Sequence, residues 1–208
     1  VFPMKAENRR LEKNKTMIDR LAKSYVLSND LSFYENKNIF LESTSSMVFD
    51  RVNGIAYIAL SPRADHDLAN SWCQDNGFKP VIFETTSHSG EPIYHTDVLM
   101  YVGTSLIGIC FDVINAEYRD EVKSQASKYH EVLEIEKDQL LSFCGNSLEV
   151  KSKDNKLYLV MSDTAKQALS HQQLEIISNH YEGIIHSDIH TIEKYGGGSA
   201  RCMLSELF

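Results

Sequence analysis

The chain has 208 residues, of which 42% are hydrophobic and 24% charged, as in an ordinary globular protein with one sizeable core or two small ones. A formal net charge of −8, without a basic stripe interleaved with aromatic residues, argues against nucleic acid as a partner. No apolar run approaches the ~18 residues that a membrane span requires, so no membrane partner is predicted. The composition leaves the oligomeric state open, and a homo-oligomer is compatible with it.

The N-terminal segment, from Val1 to about Tyr34, predicts only the second half of a structural unit. Its pattern indicates the end of a strand in residues 1–4, a helix over residues 7–25 and a strand in residues 31–34. We therefore expect the chain to enter a module partway through, with an N-terminal portion preceding Val1. Residues 1–208 are expected to belong to a single domain.

Three longer segments then repeat one layout. The first contains "GIAYIALS", "RADHDLANSWCQDNG" and "FKPVIFE", the second "SLIGICFD", "NAEYRDEVKSQASKYH" and "EVLEI", and the third "LYLVMS", "DTAKQALSHQQLEIISNH" and "YEGIIHSDI". Each consists of an apolar run, an amphipathic stretch of helix length and a second apolar run. Ser170 can cap a second helix in the third segment. A further strand and hairpin turn precede each segment, so the repeat is ββαβ and the fold class α/β.

Each leading strand begins next to a distinctive polar residue. In chain order these are Glu42, His95 and Asn146, and the comparable last position is Cys202, at intervals of 53, 51 and 56 residues. Modules that stack around an axis bring equivalent positions together there. The repeat therefore predicts a central pocket shared by these four side chains. A closed ring would also take a last strand from the C-terminal tail to complete the first module.

The cysteines give two further indications. Cys73, Cys110, Cys144 and Cys202 lie far apart and form no CxxC pair, which favours reduced thiols in a cytoplasmic protein. Cys202 follows the run "YGGGSA", and glycines let a backbone reach positive φ and approach a ligand closely. The amide groups of such a run can bind an anion. A flexible tail with a buried terminal cysteine fits the same residues.

Three stretches, "FLESTSS", "IYHTDVLM" and "GGGSARCM", together resemble the guanidino-group-modifying enzymes, the pentein or amidinotransferase superfamily. The resemblance covers essentially the whole chain and is nearest to the branch described as citrulline-utilisation hydrolases. It implies a five-bladed α/β propeller of ββαβ modules, with the first blade incomplete in this chain. It implies a small guanidino or ureido amino acid as substrate, such as arginine or citrulline, and neither a metal nor an organic cofactor.

The resemblance also implies roles for four residues. Cys202 matches the nucleophile and His95 the general acid and base. Glu42 matches the acidic residue that binds a substrate nitrogen and orients the histidine, and Asp97 matches a carboxylate that helps to grip the guanidinium group. The implied reaction is hydrolysis of a C–N bond through a covalent cysteine intermediate. The chain departs from the family pattern in "LESTSS", where serine replaces the usual glycine, so we expect the local turn to differ.

Two further residues have both a functional and a structural interpretation. Asn146 carries a donor and an acceptor, so it can hold the amino-acid end of a substrate or brace a loop. It can equally stabilise a turn in "CGNS". Arg201 can pair with a substrate carboxylate or lie in solvent beside the cysteine.

Three other functions are compatible with the sequence. An amidinotransferase shares the chemistry until an acceptor amine replaces water in the second step. A propeller that binds a ligand without catalysis uses the same scaffold. His186, Asp188 and His190 alternate in "HSDIH", so on a strand they would share one face and could bind zinc. No other ligand set supports that zinc site, and the stretch also fits a polar strand end.

Overall fold

A computed structural model describes residues 1–206 of the chain. It contains three three-stranded sheets, which do not close into a ring within these residues. In each sheet the first strand pairs antiparallel with the second, and the second pairs parallel with the third. The predicted ββαβ repeat and the α/β class are thus confirmed. In chain order the strands are β1 Val48–Asp50, β2 Ile55–Ala59, β3 Lys79–Phe83, β4 Met100–Val102, β5 Leu106–Ile109, β6 Glu131–Glu134, β7 Leu148–Lys151, β8 Leu157–Ser162 and β9 Gly183–Ser187.

Helices connect the strands and cover the sheets. The described α-helices are α1 Lys15–Leu21, α2 Ser43–Ser46, α3 His66–Asp75, α4 Thr96–Leu99, α5 Ala116–Ser127, α6 Asp163–Ala168, α7 His171–His180 and α8 His190–Gly196. Short 3-10 helices span Glu7–Glu12, Ser32–Lys37, Phe111–Val113, Lys137–Ser142 and Arg201–Met203. Within the described part of the chain, no helix is both long and apolar enough to cross a membrane.

The middle strands β2 and β5 are buried at every position, whereas the middle strand β8 of the third sheet is only partly buried. The burial of β2 and β5 explains their nearly continuous apolar runs. The crossover in the third unit is divided into α6 and α7, as the capping signal predicts. Ser170 Oγ accepts from the Gln173 N–H, and the Gln173 side chain accepts from the Ser170 N–H, which completes a capping box at the start of α7.

The predicted N-terminal helix over residues 7–25 is not continuous. The structure has the 3-10 helix Glu7–Glu12 followed by the separate helix α1. The break occurs because the Asn14 side chain accepts from the Thr16 N–H at 2.8 Å, which makes Asn14 the N-cap of a new helix.

The strands predicted at residues 1–4 and 31–34 are also not formed. Residues 31–34 lead into a 3-10 helix, since the Asp30 carboxylate accepts from the Ser32 N–H at 2.9 Å and starts a turn there. The last strand expected from the C-terminal tail is likewise absent from residues 188–206. Residues 207–208 lie outside the described part of the chain.

Buried apolar side chains form two clusters. The larger cluster runs through all three sheets. The smaller one lies between the first sheet, α3 and the N-terminal segment, where the rings of Phe2, Phe49, Trp72 and Phe78 make successive contacts. The first strands of the three sheets are neighbours, β1 beside β4 and β4 beside β7. The loops that precede these strands are thereby brought close together.

Candidate active site

Two short helices occupy equivalent places in the first two units. Helix α2 immediately precedes β1, and α4 immediately precedes β4. Glu42 and His95 are the residues directly before these helices. The Thr96 hydroxyl donates to the Ser46 carbonyl at 2.6 Å, which ties the two helices together. The repeat therefore delivers both side chains from the same position of its unit.

The carboxylate of Glu42 and the imidazole of His95 form a buried pair, with 2.6 Å between Glu42 Oε2 and His95 Nε2. The other Glu42 oxygen accepts from the Lys5 N–H at 2.8 Å, and Arg63 Nη1 lies 3.4 Å from Oε2. Burial would raise the pKa of Glu42, but the hydrogen bonds from His95 and Lys5 and the charge of Arg63 outweigh it and hold that pKa below its usual value. An ionised carboxylate thus fixes the orientation of the imidazole.

The Cys202 thiol lies against Asn146. Asn146 Nδ2 donates to Cys202 Sγ at 3.2 Å, and the Cys202 N–H donates to Asn146 Oδ1 at 3.3 Å. Asn146 Nδ2 also donates to the Asp97 backbone carbonyl at 2.9 Å. Asn146 is almost fully buried, so its amide braces the cysteine loop from the third unit. The bracing interpretation of Asn146 therefore agrees with the observed contacts.

Asp97 completes the group around the thiol. Its Oδ2 accepts from Cys202 Sγ at 3.7 Å, while Oδ1 is buried and has no hydrogen-bond partner among residues 1–206. Burial raises the pKa of Asp97 to about 6, although the charges of His95 and Arg201 oppose this shift. A buried polar atom without a partner is costly. Asp97 Oδ1 is thus an unsatisfied acceptor in the carboxylate that contacts the thiol.

The thiol of Cys202 is not acidic at rest. The residue as a whole is exposed, but protein atoms crowd the sulfur, and this desolvation together with the charge of Asp97 raises the pKa of Cys202. Hydrogen bonds from the Ser199 N–H and Asn146 oppose the shift. The other three cysteines are buried, and burial raises the pKa of Cys73 to about 11 and that of Cys144 to about 12. Cys202 is therefore the accessible thiol of the four.

Close packing against Cys202 requires a glycine at position 198. A Cβ atom added to Gly198 would lie 2.9 Å from Cys202 Cβ and 3.0 Å from Cys202 Sγ, closer than such atoms approach in proteins. Gly197 ends α8 with a φ of 70°. The run thus holds its backbone directly beside the sulfur, as expected from the sequence.

The serine in "LESTSS" adopts the backbone conformation that glycine favours. Ser43, the residue after Glu42, has a φ of 53°. A side chain in this region costs about 1–2 kcal/mol. Ser43 therefore adopts a left-handed conformation that places backbone strain next to Glu42.

We expect Ser43→Gly to raise the free energy of unfolding by about 0.5–1 kcal/mol. Relief of the strain is partly offset by the greater entropy of glycine in the unfolded chain, ~0.5–1 kcal/mol. Urea unfolding followed by circular dichroism measures the change. Asn38→Gly is the matched control, because Asn38 has a φ of 56° but asparagine tolerates it well. Equal effects of the two substitutions would contradict the assignment of strain to Ser43.

Arg201 is buried rather than solvated. Its Nη2 lies 3.2 Å from Glu206 Oε2, and the same oxygen lies 3.7 Å from Arg51 Nη2. The guanidinium group thus belongs to an ion-pair group that joins the cysteine loop to the end of β1. Its positive charge also acts on the Asp97 carboxylate.

The alternating residues of "HSDIH" do not share a strand face. Strand β9 ends at Ser187, and His190 begins α8. His186 instead contacts Asp163 through Nδ1 at 2.5 Å and Lys166 through Nε2 at 2.8 Å. Over residues 1–206 no group of three potential metal ligands is found, so the zinc interpretation has no support from the geometry.

Sequence reasoning missed two side chains at the site. Arg63 contacts Glu42, and its Cζ lies 5.2 Å from the centre of the Tyr94 ring. Tyr94 Oη donates to the Gly197 carbonyl at 2.7 Å. Tyr94 could have been suspected as the neighbour of His95, whereas Arg63 follows β2 in a loop with no signal of its own.

Comparisons with known proteins identify the family and the fold of the chain. The family model described as N,N dimethylarginine dimethylhydrolase, eukaryotic, matches residues 1–208. By sequence, no curated protein matches the chain.

Solved structures show the same fold. ArgZ, an arginine dihydrolase from the ornithine-ammonia cycle in cyanobacteria, has a TM-score of 0.73 at 13% identity over 100% of this chain and 31% of its own. The N-terminal domain of ArgZ bound to product gives 0.72 at 14% identity, covering 98% of this chain and 67% of that one. A mutant of the DDAH from Pseudomonas aeruginosa complexed with citrulline has a TM-score of 0.57 at 14% identity. The match covers 94% of this chain and 66% of that one. The chain spans about a third of full-length ArgZ and two thirds of the single-domain relatives.

Proposed function

The chain belongs to the family described as eukaryotic N,N dimethylarginine dimethylhydrolases, within the pentein superfamily of guanidino-modifying enzymes, and on that premise we propose that it is a cysteine-dependent hydrolase of a guanidino or ureido amino acid. The observation that carries the proposal is the buried Asp97 carboxylate beside Cys202. Its Oδ1 lacks a hydrogen-bond partner among residues 1–206, and its Oδ2 contacts the sulfur. A planar group rich in N–H donors, placed over the thiol, supplies the missing hydrogen bond.

Substrate binding follows from the charges around this carboxylate. Asp97 is mostly ionised at neutral pH, since its pKa lies at about 6. Guanidinium groups pair with carboxylates through two parallel N–H···O bonds. A bound guanidinium cation also offsets the negative charge that raises the pKa of Cys202. The substrate itself thus promotes formation of the thiolate that attacks it.

The reaction then takes two steps. The Cys202 thiol gives its proton to His95, and the resulting thiolate attacks the guanidino or ureido carbon to form a tetrahedral adduct. His95 then donates that proton to the departing amine as the C–N bond breaks. A covalent adduct on sulfur remains. His95 next removes a proton from water, the resulting hydroxide attacks the same carbon, and the C–S bond breaks to release the thiolate. His95 returns the proton to the sulfur, which restores the thiol. Glu42 keeps the imidazole oriented in both steps through the 2.6 Å contact.

The finer assignments complete this proposal. Asn146 braces the nucleophile, and Arg201 sets the charge around Asp97 from the ion-pair group with Glu206. The three sheets are three blades of a five-bladed propeller that forms one catalytic domain, and the enzyme acts in the cytoplasm without a metal or organic cofactor. Structures of relatives bound to substrate, to a reaction intermediate and to citrulline support arginine or citrulline as the substrate type.

A substrate panel tests the proposal. The full-length protein is incubated separately with arginine, dimethylarginine, citrulline and agmatine, with Cys202→Ser as the blank, and products are followed by NMR. Turnover of one compound that disappears in Cys202→Ser supports the hydrolase. A parallel series with glycine as acceptor amine identifies a transferase by its amidino product. The proposal fails if no compound turns over and Cys202 reacts no faster than Cys110 with an amidine-bearing alkylating agent.

A further inference from the structure

Tyr94 joins the histidine loop to the backbone beside the thiol. The residues of interest are the glycine loop, defined as residues 196–199, and the tyrosine that precedes His95. Tyr94 Oη donates to the Gly197 carbonyl at 2.7 Å, across 103 positions of sequence. Gly197 is the residue with a φ of 70°, so the hydrogen bond acts at the point where α8 ends and the loop turns toward Cys202.

The aromatic ring of Tyr94 is held from the opposite side. The centre of the Tyr94 ring lies 5.2 Å from Arg63 Cζ and 4.9 Å from the centre of the His95 ring. Arg63 and His95 both contact the Glu42 carboxylate. A cation over an aromatic face is attracted to it, which restrains both groups. The Tyr94 hydroxyl is therefore presented to the glycine loop from a fixed support.

The glycine loop in turn acts on the sulfur. The Ser199 N–H is among the groups that oppose the rise in the pKa of Cys202. The Ser199 hydroxyl donates to the buried carboxylate of Glu193 at 2.6 Å, which anchors the far end of the loop to α8. Gly198 lies in contact with the sulfur between these points. The loop is thus fastened at two places, at Glu193 and at Tyr94.

We propose that Tyr94 is a positioning residue for the nucleophile, whose hydroxyl holds the glycine loop against Cys202 Sγ. The inference deepens the proposed function and rests on it only for the role of Cys202 in turnover. Tyr94 acts through the loop and need not touch the substrate. Its removal therefore changes the ionisation of the thiol, which a purely structural residue would leave unchanged.

Tyr94→Phe tests this, because it removes the hydroxyl and keeps the ring. Tyr94 is 37% exposed, so the change leaves the core intact. Alkylation of Cys202 by iodoacetamide is followed against pH by intact mass, with Cys202→Ser as the blank. We expect the midpoint of the alkylation profile to move to higher pH and the alkylation rate at pH 7 to fall three- to tenfold. This is the effect expected from the loss of one hydrogen bond. On the substrate that turns over, kcat should fall by a similar factor with little change in KM.

Tyr195→Phe is the matched control, since Tyr195 is 79% exposed and lies next to the glycine loop. Its alkylation profile should coincide with that of the unmodified protein. An unchanged midpoint in Tyr94→Phe overturns the inference, as does an equal shift in Tyr195→Phe. The alkylation arm needs no turnover, so a Tyr94-dependent midpoint in a protein inactive on every panel compound would sustain the inference while giving the hydrolase no support.

Discussion

Asp97→Asn is expected to lower kcat/KM by roughly 30- to 4,000-fold. The substitution keeps the size of the side chain but removes the charge that pairs with the guanidinium group. Truncating one partner of a buried, hydrogen-bonded charge pair costs about 2–5 kcal/mol, which corresponds to this range. Steady-state kinetics on the substrate identified by the panel measure the loss. Asp112→Asn, at an exposed aspartate of the same unit, is the control and should retain full activity.

The same variant should make the thiol more acidic while activity falls. The charge of Asp97 raises the pKa of Cys202, so removing that charge lowers it. The alkylation midpoint of Cys202 is therefore expected at lower pH in Asp97→Asn than in the unmodified protein. The two opposite changes separate substrate binding from activation of the nucleophile. A fall in activity accompanied by a less acidic thiol would indicate that the site has collapsed, and would contradict the assigned role.

The buried carboxylate also has a predictable effect on stability. Its pKa rises from 3.8 to about 6 on folding, so between these values the folded state holds a proton that the unfolded state has lost. Stability therefore falls as pH rises from about 4 to 6, and the full penalty is present above pH 6. Asp97→Asn should be more stable than the unmodified protein at pH 8 and close to it at pH 4. Urea unfolding at the two pH values measures the free energies of unfolding of both proteins. An equal difference between the proteins at pH 4 and at pH 8 would exclude burial of the charge as the cause.

The second large effect is expected at His95. His95→Gln should lower kcat about 10²- to 10⁴-fold, the usual contribution of a general acid and base. Glutamine keeps a hydrogen bond to Glu42 but does not exchange a proton near neutral pH. Rapid mixing and mass analysis should show slower formation of the Cys202 adduct, because the departing amine is no longer protonated. His66→Gln, at an exposed histidine on α3, is the control, and activity within tenfold of normal in His95→Gln would exclude the role.

Glu42→Gln should act through the same histidine. Glu42 orients His95 and does not exchange the proton, so its loss should reduce kcat less than His95→Gln does. The double variant should be no worse than His95→Gln alone, because two residues that act as a unit are not additive. Additive losses would mean that Glu42 has a separate task, such as holding a substrate nitrogen.

The sequence predicted the members of the site best where they occupy equivalent positions of the repeat. Glu42 and His95 could be paired across 53 residues because each stands before the first strand of its unit, and stacked units bring these positions together. Asn146 and Cys202 followed from the same spacing and are in contact. A repeated pattern reports three-dimensional proximity that local propensity does not.

The sequence-based predictions were wrong or incomplete where local side-chain hydrogen bonds or tertiary contacts determine the structure. The N-terminal helix is divided by a single cap at Asn14, and Asp30 turns a predicted strand into a 3-10 helix. Both effects are as strong as the apolar pattern they interrupt. The role of Arg63 becomes visible only once its loop is placed beside Glu42, and the hydrogen bond of Tyr94 only once the glycine run is placed beside it.

The raised pKa of the exposed Cys202 has a consequence for oxidative damage. Peroxides attack the thiolate far faster than the thiol, and the first product, a sulfenic acid, leads on to irreversible sulfinic and sulfonic acids. In the proposed mechanism the sulfur stays protonated until a cationic substrate binds, so the free protein holds it in the form that resists oxidation. The site therefore combines access for the substrate with protection from oxidants, and it loses that protection only during turnover.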